Sequence, residues 1–198
     1  MTRILLVRHG QSEWNADGRW QGQADPALTI QGVRQAEAAA SSLGSVDAIV
    51  ASTLERAQHT ANVIANRLGI EPVIALAELM ERHAGEWQGL TRSEIEDLYP
   101  GYLDEGRRPP GWEPDDELVE RVLVGLDAIA SVVGPDADVV AVTHGGVIMA
   151  LSDHLGGHRG RIANLGARWV ERSVGGAWQL GGELDLLNGV DVTVPDQI

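Results

Sequence analysis

The stretch LLVRHGQSEWN, Leu5 to Asn15, carries an apolar run straight into an arginine, a histidine and a glycine before turning polar. With Ile4 in front, residues Ile4 to Val7 have the length and aliphatic make-up of a strand buried on both faces. Where such a strand would usually stop at a turn, this one delivers Arg8 and His9. In an open α/β sheet, ligands collect beyond the carboxyl ends of the strands.

Three more runs of this kind follow, at Val46 to Ala51, Pro72 to Leu76 and Ala137 to Thr143. Helical signals lie between them. Leu118, Val122, Leu126, Ile129 and Val133 repeat at spacings of four and three, placing one apolar stripe along a helix that should lie on the sheet. Ser52 with Glu55, and Thr91 with Glu94, have the spacing of capping boxes at two further helix starts. Strands alternating with helices predict an α/β three-layer sandwich, its mostly parallel central sheet covered by helices. The segment 98–117, dense in Pro, Gly and charge, reads as a cap-like excursion over one face, and long loops of this kind are often functional. The run GARWVERSVGGAWQLGGELD fits a hairpin turning at Gly175 and Gly176, and the tail after Leu187 is expected to be loosely held.

At 198 residues and 43% hydrophobic content the chain is expected to form a single domain, 1–198. A net charge of −14 argues against a nucleic-acid partner, which requires surplus basic surface. All 15 basic residues are arginine, and there is no cysteine, so thiolate nucleophiles, thiolate metal sites and disulfides are excluded. The opening residues lack the pattern of a signal peptide and no apolar run is long enough to span a membrane, so no membrane association and a cytoplasmic location are expected. Self-association into a homo-oligomer is left open.

Two other junctions match the first. VVAVTHGG ends a buried strand on His144, with Gly145 and Gly146 opening the next helix, where free backbone N–H groups suit an anion. VASTLERAQHTA leads from a strand into a helix carrying Arg56, and a guanidinium matches phosphate oxygens two at a time. Arg8, Arg56, His9 and His144 at three strand ends therefore point to one anionic substrate. His59 and His83 have no such support. His154 and His158 have the i, i+4 spacing of metal ligands, but Gly156 and Gly157 break the helix this needs, and no metal is expected there.

LVRHGQSEWN, STLERAQHTA, ERHAGEWQG and VTHGG resemble, in order, the motifs of the histidine phosphatase superfamily, also called phosphoglycerate-mutase-like, over about residues 4–148. The resemblance implies the phosphoglycerate-mutase-like fold. It implies His9 as a nucleophile that is transiently phosphorylated, with Arg8, Arg56 and His144 completing a phosphate pocket. Glu81 matches the proton donor, with Glu78 as its rival, and Asn15, Gln21 and the backbone of Gly145 match substrate contacts. Arginines beside an imidazole disfavour its protonation and leave it available for attack, while holding the phosphoryl oxygens in the transition state. No metal or other cofactor is then expected, and the implied partner is a small phosphorylated metabolite.

Within the superfamily that the chain resembles, the glycolytic mutases carry a longer insertion than the 98–117 segment, which favours the phosphatase branch, and the resemblance implies members that act on sugar phosphates or phosphoglycerate-type esters. GEWQGLT and the compact length are most similar to bacterial phosphatases of that kind, actinobacterial glucosyl-3-phosphoglycerate phosphatases among them. Many relatives have Gly-Glu-Ser before the helix near Asp116, where this chain has EPDDE, a departure on the substrate side. The alternatives are a mutase-type phosphotransferase and a non-catalytic phospho-ligand module, the latter disfavoured because no pocket residue is missing.

Overall fold

The computed structural model describes residues 1–173 and 175–187. Among these, the chain runs β1 (Arg3–Arg8), α1 (Glu13–Ala16), α2 (Ile30–Ser42), β2 (Ala48–Ser52), α3 (Glu55–Leu68), β3 (Ile74–Leu76), α4 (Arg92–Leu98), α5 (Asp115–Val133), β4 (Asp138–Thr143), α6 (Gly145–His154), β5 (Gly166–Arg172) and β6 (Trp178–Asp185). The six strands form one sheet in the order β3-β2-β4-β1-β5-β6. Pairing is parallel from β3 to β1 and antiparallel from β1 through β5 to β6, so the sheet is mixed, with five strands pointing one way.

Side-chain alternation divides the core into two layers. Ile4, Leu6, Val50, Val139 and Ala141 pack with the stripe of α5 (Leu118, Val122, Leu126, Ile129) and with α6. Leu5, Val7, Ile49, Ala51, Val140 and Val142 pack with alanines and Ile64 of α2 and α3. Both faces of the central strands are therefore dry, which is why their sequences read as continuous apolar runs. This is the three-layer arrangement expected.

The register places the chemistry. Because β1 and β4 pair in parallel with Arg8 opposite Thr143, His9 and His144 leave the sheet side by side, tied by His9 N–H to Thr143 O at 3.0 Å. The Thr91–Glu94 capping box is present at the start of α4. The Ser52–Glu55 box is not: α3 has Leu54 as its N-cap with no side-chain cap, and Ser52 is the last residue of β2. Its hydroxyl is turned inward to accept from Leu54 N–H at 3.2 Å and to meet His144. The third strand is shorter than Pro72 to Leu76, beginning only at Ile74. Gly176, with φ of 84°, lies between β5 and β6 as expected, whereas the tail after Leu187 lies outside the described residues.

The 98–117 segment is turn-rich up to Gly106 and then returns to the body through an antiparallel bridge between Trp112 and Ala84. Gly85 makes this possible: at φ of 55° a Cβ there would lie 2.2 Å from Pro110 O. The excursion thereby brings Arg108 and Trp112 over the carboxyl edge of the sheet, where they wall the cavity described next.

Candidate active site

Beyond the ends of β1 and β4 lies a cavity open to solvent. His9, Gln21, Glu81 and Gly145 line it, and so do six arginines: Arg8, Arg56, Arg82, Arg108, Arg159 and Arg161. Glu81 is the one carboxylate among the lining residues. In a chain of net charge −14, this concentration of guanidinium groups marks the cavity for an anion.

His9 is 2% exposed. Its Nδ1 lies 2.7 Å from Gly10 O and its Nε2 lies 3.2 Å from Arg56 Nε. A carbonyl can only accept and a guanidinium N–H can only donate, so the proton sits on Nδ1 and the lone pair on Nε2. Burial, with the charges of Arg56 and Arg8, holds the imidazole pKa well below its ordinary value, so the ring is neutral. Nε2 is thus an unprotonated nitrogen beside cations. Behind the ring, Asn164 donates to His9 O at 2.9 Å and to Asn15 Oδ1 at 3.2 Å, fixing the backbone that carries the imidazole.

Arg56 is 1% exposed and each of its nitrogens is engaged. Nη1 donates to Ala24 O at 2.6 Å and Nη2 to Gly22 O at 2.8 Å, while Nε faces His9. Arg8 donates through Nη1 to Ile162 O at 2.6 Å, and its buried Nε has no partner. Burial pulls both guanidinium pKa values down to about 10, so both remain charged near neutrality. His144 is fully buried, its ring centroid 5.2 Å from that of His9, and burial followed by the charge of Arg56 keeps it neutral too.

Glu81 is aimed by backbone. Its Oε1 accepts from Arg82 N–H at 2.8 Å and its Oε2 from Gly146 N–H at 3.0 Å. Arg121 of α5 clamps the same segment, donating to Glu78 O, Met80 O and Glu81 O at 2.8, 2.7 and 3.1 Å. Glu78, the rival carboxylate, is not among the lining residues. Gln21 lines the cavity and accepts from Ser12 Oγ at 2.7 Å. Asn15 is buried behind the pocket wall, completing a capping box with Ser12 and accepting from Asn164.

The outer wall is built from arginine and indole. Trp112 lies 5.0 Å from both the Arg82 and Arg108 guanidiniums and 5.6 Å from the rings of Trp20 and Trp87. Asp115, the first residue of α5, pairs with Arg82 at 2.6 Å and with Arg159. Arg82 could have been suspected from its place beside Glu81. Arg159 and Arg161 sit in a loop whose sequence has no periodicity, and Asn164 and Arg121 act through backbone contacts that only the fold creates. Of the remaining histidines, His83 Nδ1 lies 3.1 Å from Gly85 N and 3.0 Å from Gly111 O, and His158 lies beyond the end of α6 at His154, separated from it by Gly156 at φ of 80°. Among the described residues no group of three or more His, Asp or Glu is placed to hold a metal ion, and no helix is long and apolar enough to cross a membrane.

Comparison with known proteins agrees with this geometry. A glucosyl-3-phosphoglycerate phosphatase of Mycolicibacterium vanbaalenii is 38% identical over 163 residues, covering 76% of this chain and 72% of its own. A metal-independent phosphoserine phosphatase of Arabidopsis thaliana is 38% identical over 161 residues, covering 76% and 67%. Among solved structures, a mycobacterial glucosyl-3-phosphoglycerate phosphatase complexed with VO3 superposes with a TM-score of 0.81 at 32% identity, over 91% of this chain and 97% of the other. The family model of the histidine phosphatase superfamily, branch 1, matches residues 4–172, and the chain belongs to that family.

Proposed function

We propose that the protein hydrolyses small phosphomonoesters through a phosphohistidine on His9, and that its substrate carries a second negative charge on the alcohol side. The observation that carries the first part is His9 itself: a neutral imidazole lining the cavity, unprotonated on Nε2 and flanked by the guanidiniums of Arg56 and Arg8. Nε2 attacks phosphorus, and the bond to the leaving oxygen breaks with its electron pair on that oxygen. Glu81 hands the oxygen a proton. Arg8, Arg56 and His144 hold the phosphoryl oxygens as charge redistributes. Water then attacks phosphorus, its proton passes to Glu81, the P–N electron pair returns to Nε2, and inorganic phosphate leaves. Each step uses groups of the chain and water alone, so no metal is invoked.

Arg82, Arg108, Arg159 and Arg161 lie outside the set that this step consumes, and they support the second part of the reading. Glucosyl-3-phosphoglycerate and phosphoserine, named for the two relatives, are both phosphate monoesters bearing a carboxylate. A phosphoglycerate-type ester or an acidic sugar phosphate would place its phosphate on His9 and its second anion on this wall. Such esters do not cross membranes unaided, which supports a cytoplasmic site of action. The test is phosphate release in metal-free buffer from 3-phosphoglycerate-type esters and from glycerol phosphate. The carboxylated ester should be favoured by at least ~10-fold in kcat/KM, about 1.4 kcal/mol. Equal rates would remove the second-anion reading, and transfer of the phosphoryl group to a second hydroxyl with no free phosphate would make the protein a phosphotransferase.

A further inference from the structure

We infer that Ser52 is a positioning residue that sets the tautomer of His144, so that this second histidine presents a proton, not a lone pair, to the phosphoryl group. Ser52 is fully buried at the end of β2, and its backbone is held by Gln58 Nε2, which donates to Ser52 O at 2.6 Å. Its hydroxyl oxygen already accepts from Leu54 N–H at 3.2 Å and lies 2.8 Å from His144 Nε2. A serine hydroxyl has one proton to give. If His144 Nε2 were the protonated nitrogen, that oxygen would accept twice and its own proton would be stranded in the core. A buried donor without an acceptor is costly, so the proton points at Nε2, which then carries the lone pair.

The consequence falls on the other ring nitrogen. Neutral imidazole has one N–H, and with Nε2 accepting, that N–H is on Nδ1. His144 Nδ1 is buried and has no partner in the protein. It belongs to a ring packed on His9 and set at the start of α6, whose next residue, Gly145, lines the cavity. A buried N–H with nothing to bond beside a nucleophile is a donor waiting for an oxygen of the ligand. The two histidines are therefore both Nδ1–H tautomers with opposite duties. Gly10 O strips His9 of any donor on its attacking side, and Ser52 gives His144 one. With the opposite tautomer, a lone pair would face the phosphoryl oxygens and repel them.

The inference rests on the phosphoryl-transfer reading for its consequence, but the tautomer is measurable without turnover, so the two can fail separately. In the wild-type protein, long-range 1H–15N correlation spectra of the imidazoles should show His144 protonated on Nδ1 and bare on Nε2. Inorganic phosphate should shift the Nδ1 proton. A bare Nδ1 with protonated Nε2 would overturn the inference whatever the activity. Ser52→Ala should weaken inorganic phosphate binding by at least ~10-fold and render the His144 tautomer mixed, because one ligand hydrogen bond is lost or misdirected. Ser52→Thr, which keeps the hydroxyl, should restore a single tautomer. Unchanged tautomer and affinity in Ser52→Ala would also overturn it. Should that variant not fold, the wild-type spectrum decides alone.

Discussion

Gly145 and Gly146 open the same helix, yet the structure predicts opposite outcomes when each is replaced by alanine. A Cβ on Gly145 would meet Arg8 Nε at 3.5 Å, an ordinary contact. A Cβ on Gly146 would lie 2.4 Å from Glu81 Oε1 and 3.0 Å from Glu81 Cδ. Relief from that overlap requires the carboxylate to move by about 1 Å, and a 1 Å misplacement in an active site costs on the order of 10²-fold. The obstructed atoms are the end of a flexible side chain, so they can swing away and the fold is spared. Alanine is also worth up to about 1 kcal/mol more than glycine within a helix. Gly146→Ala should therefore fold with undiminished stability while losing roughly 10²-fold in kcat on alkyl phosphates, about 2.7 kcal/mol of barrier. On p-nitrophenyl phosphate, whose leaving group needs little protonation, the loss should stay under about fivefold. Gly145→Ala should remain within about threefold on both, since 3.5 Å requires no displacement. Steady-state kinetics on the two substrate types, with thermal unfolding, checks all of this. An equal loss on alkyl and aryl esters, or no loss on either, would refute the placement of Glu81 as proton donor.

Arg56→Lys should lower kcat/KM by roughly 10²–10³-fold, because one ammonium cannot hold Gly22 O, Ala24 O and His9 Nε2 in the planes a guanidinium reaches; retention within threefold on p-nitrophenyl phosphate would contradict it. Exhaustive chelation should leave turnover within about twofold, far from the ~1.4 kcal/mol of a tenfold change, and a deep loss restored by one divalent ion would contradict the metal-free reaction. His9 and His144 are both held neutral by burial, with pKa values below those of the unfolded chain. The unfolded state then binds more protons, so stability falls as pH drops below about 6.5, with a limiting slope of about 1.4 kcal/mol per pH unit per histidine. Denaturant unfolding between pH 7 and 5 should show that slope, reduced in His9→Gln, and a flat profile would contradict the burial argument.

Four of the candidate site residues were legible because they sit at or just beyond the ends of apolar runs, and a buried strand announces both its existence and its exit point; Glu81 is marked only by the family resemblance. Arg8 and His9, Arg56, and His144 lie at three such exits, and the parallel pairing of β1 with β4 brings two of them together. Ser52 shows the opposite case. Its spacing to Glu55 satisfies a local capping rule, yet Leu54 is the N-cap of α3 and the Ser52 hydroxyl meets a histidine 92 positions away. Local pattern cannot tell a hydroxyl that caps from one that reaches across the sheet edge. Arg121, Asn164 and Arg159 were missed for a related reason: they bond to backbone carbonyls or to the first turn of α5, and such partners leave no periodic trace. The excursion was recognisable from composition, but its path over the cavity depends on the close approach of Gly85 to Pro110.

The central claim is that His9 Nε2 forms a bond to phosphorus. Rapid quenching of the enzyme with a 32P-labelled monoester should trap label on the protein that survives alkali, is lost in acid, and maps to His9. The label should be absent from His9→Ala, whose turnover should vanish with it. Label on another residue, or turnover in His9→Ala close to that of the wild type, would contradict the account.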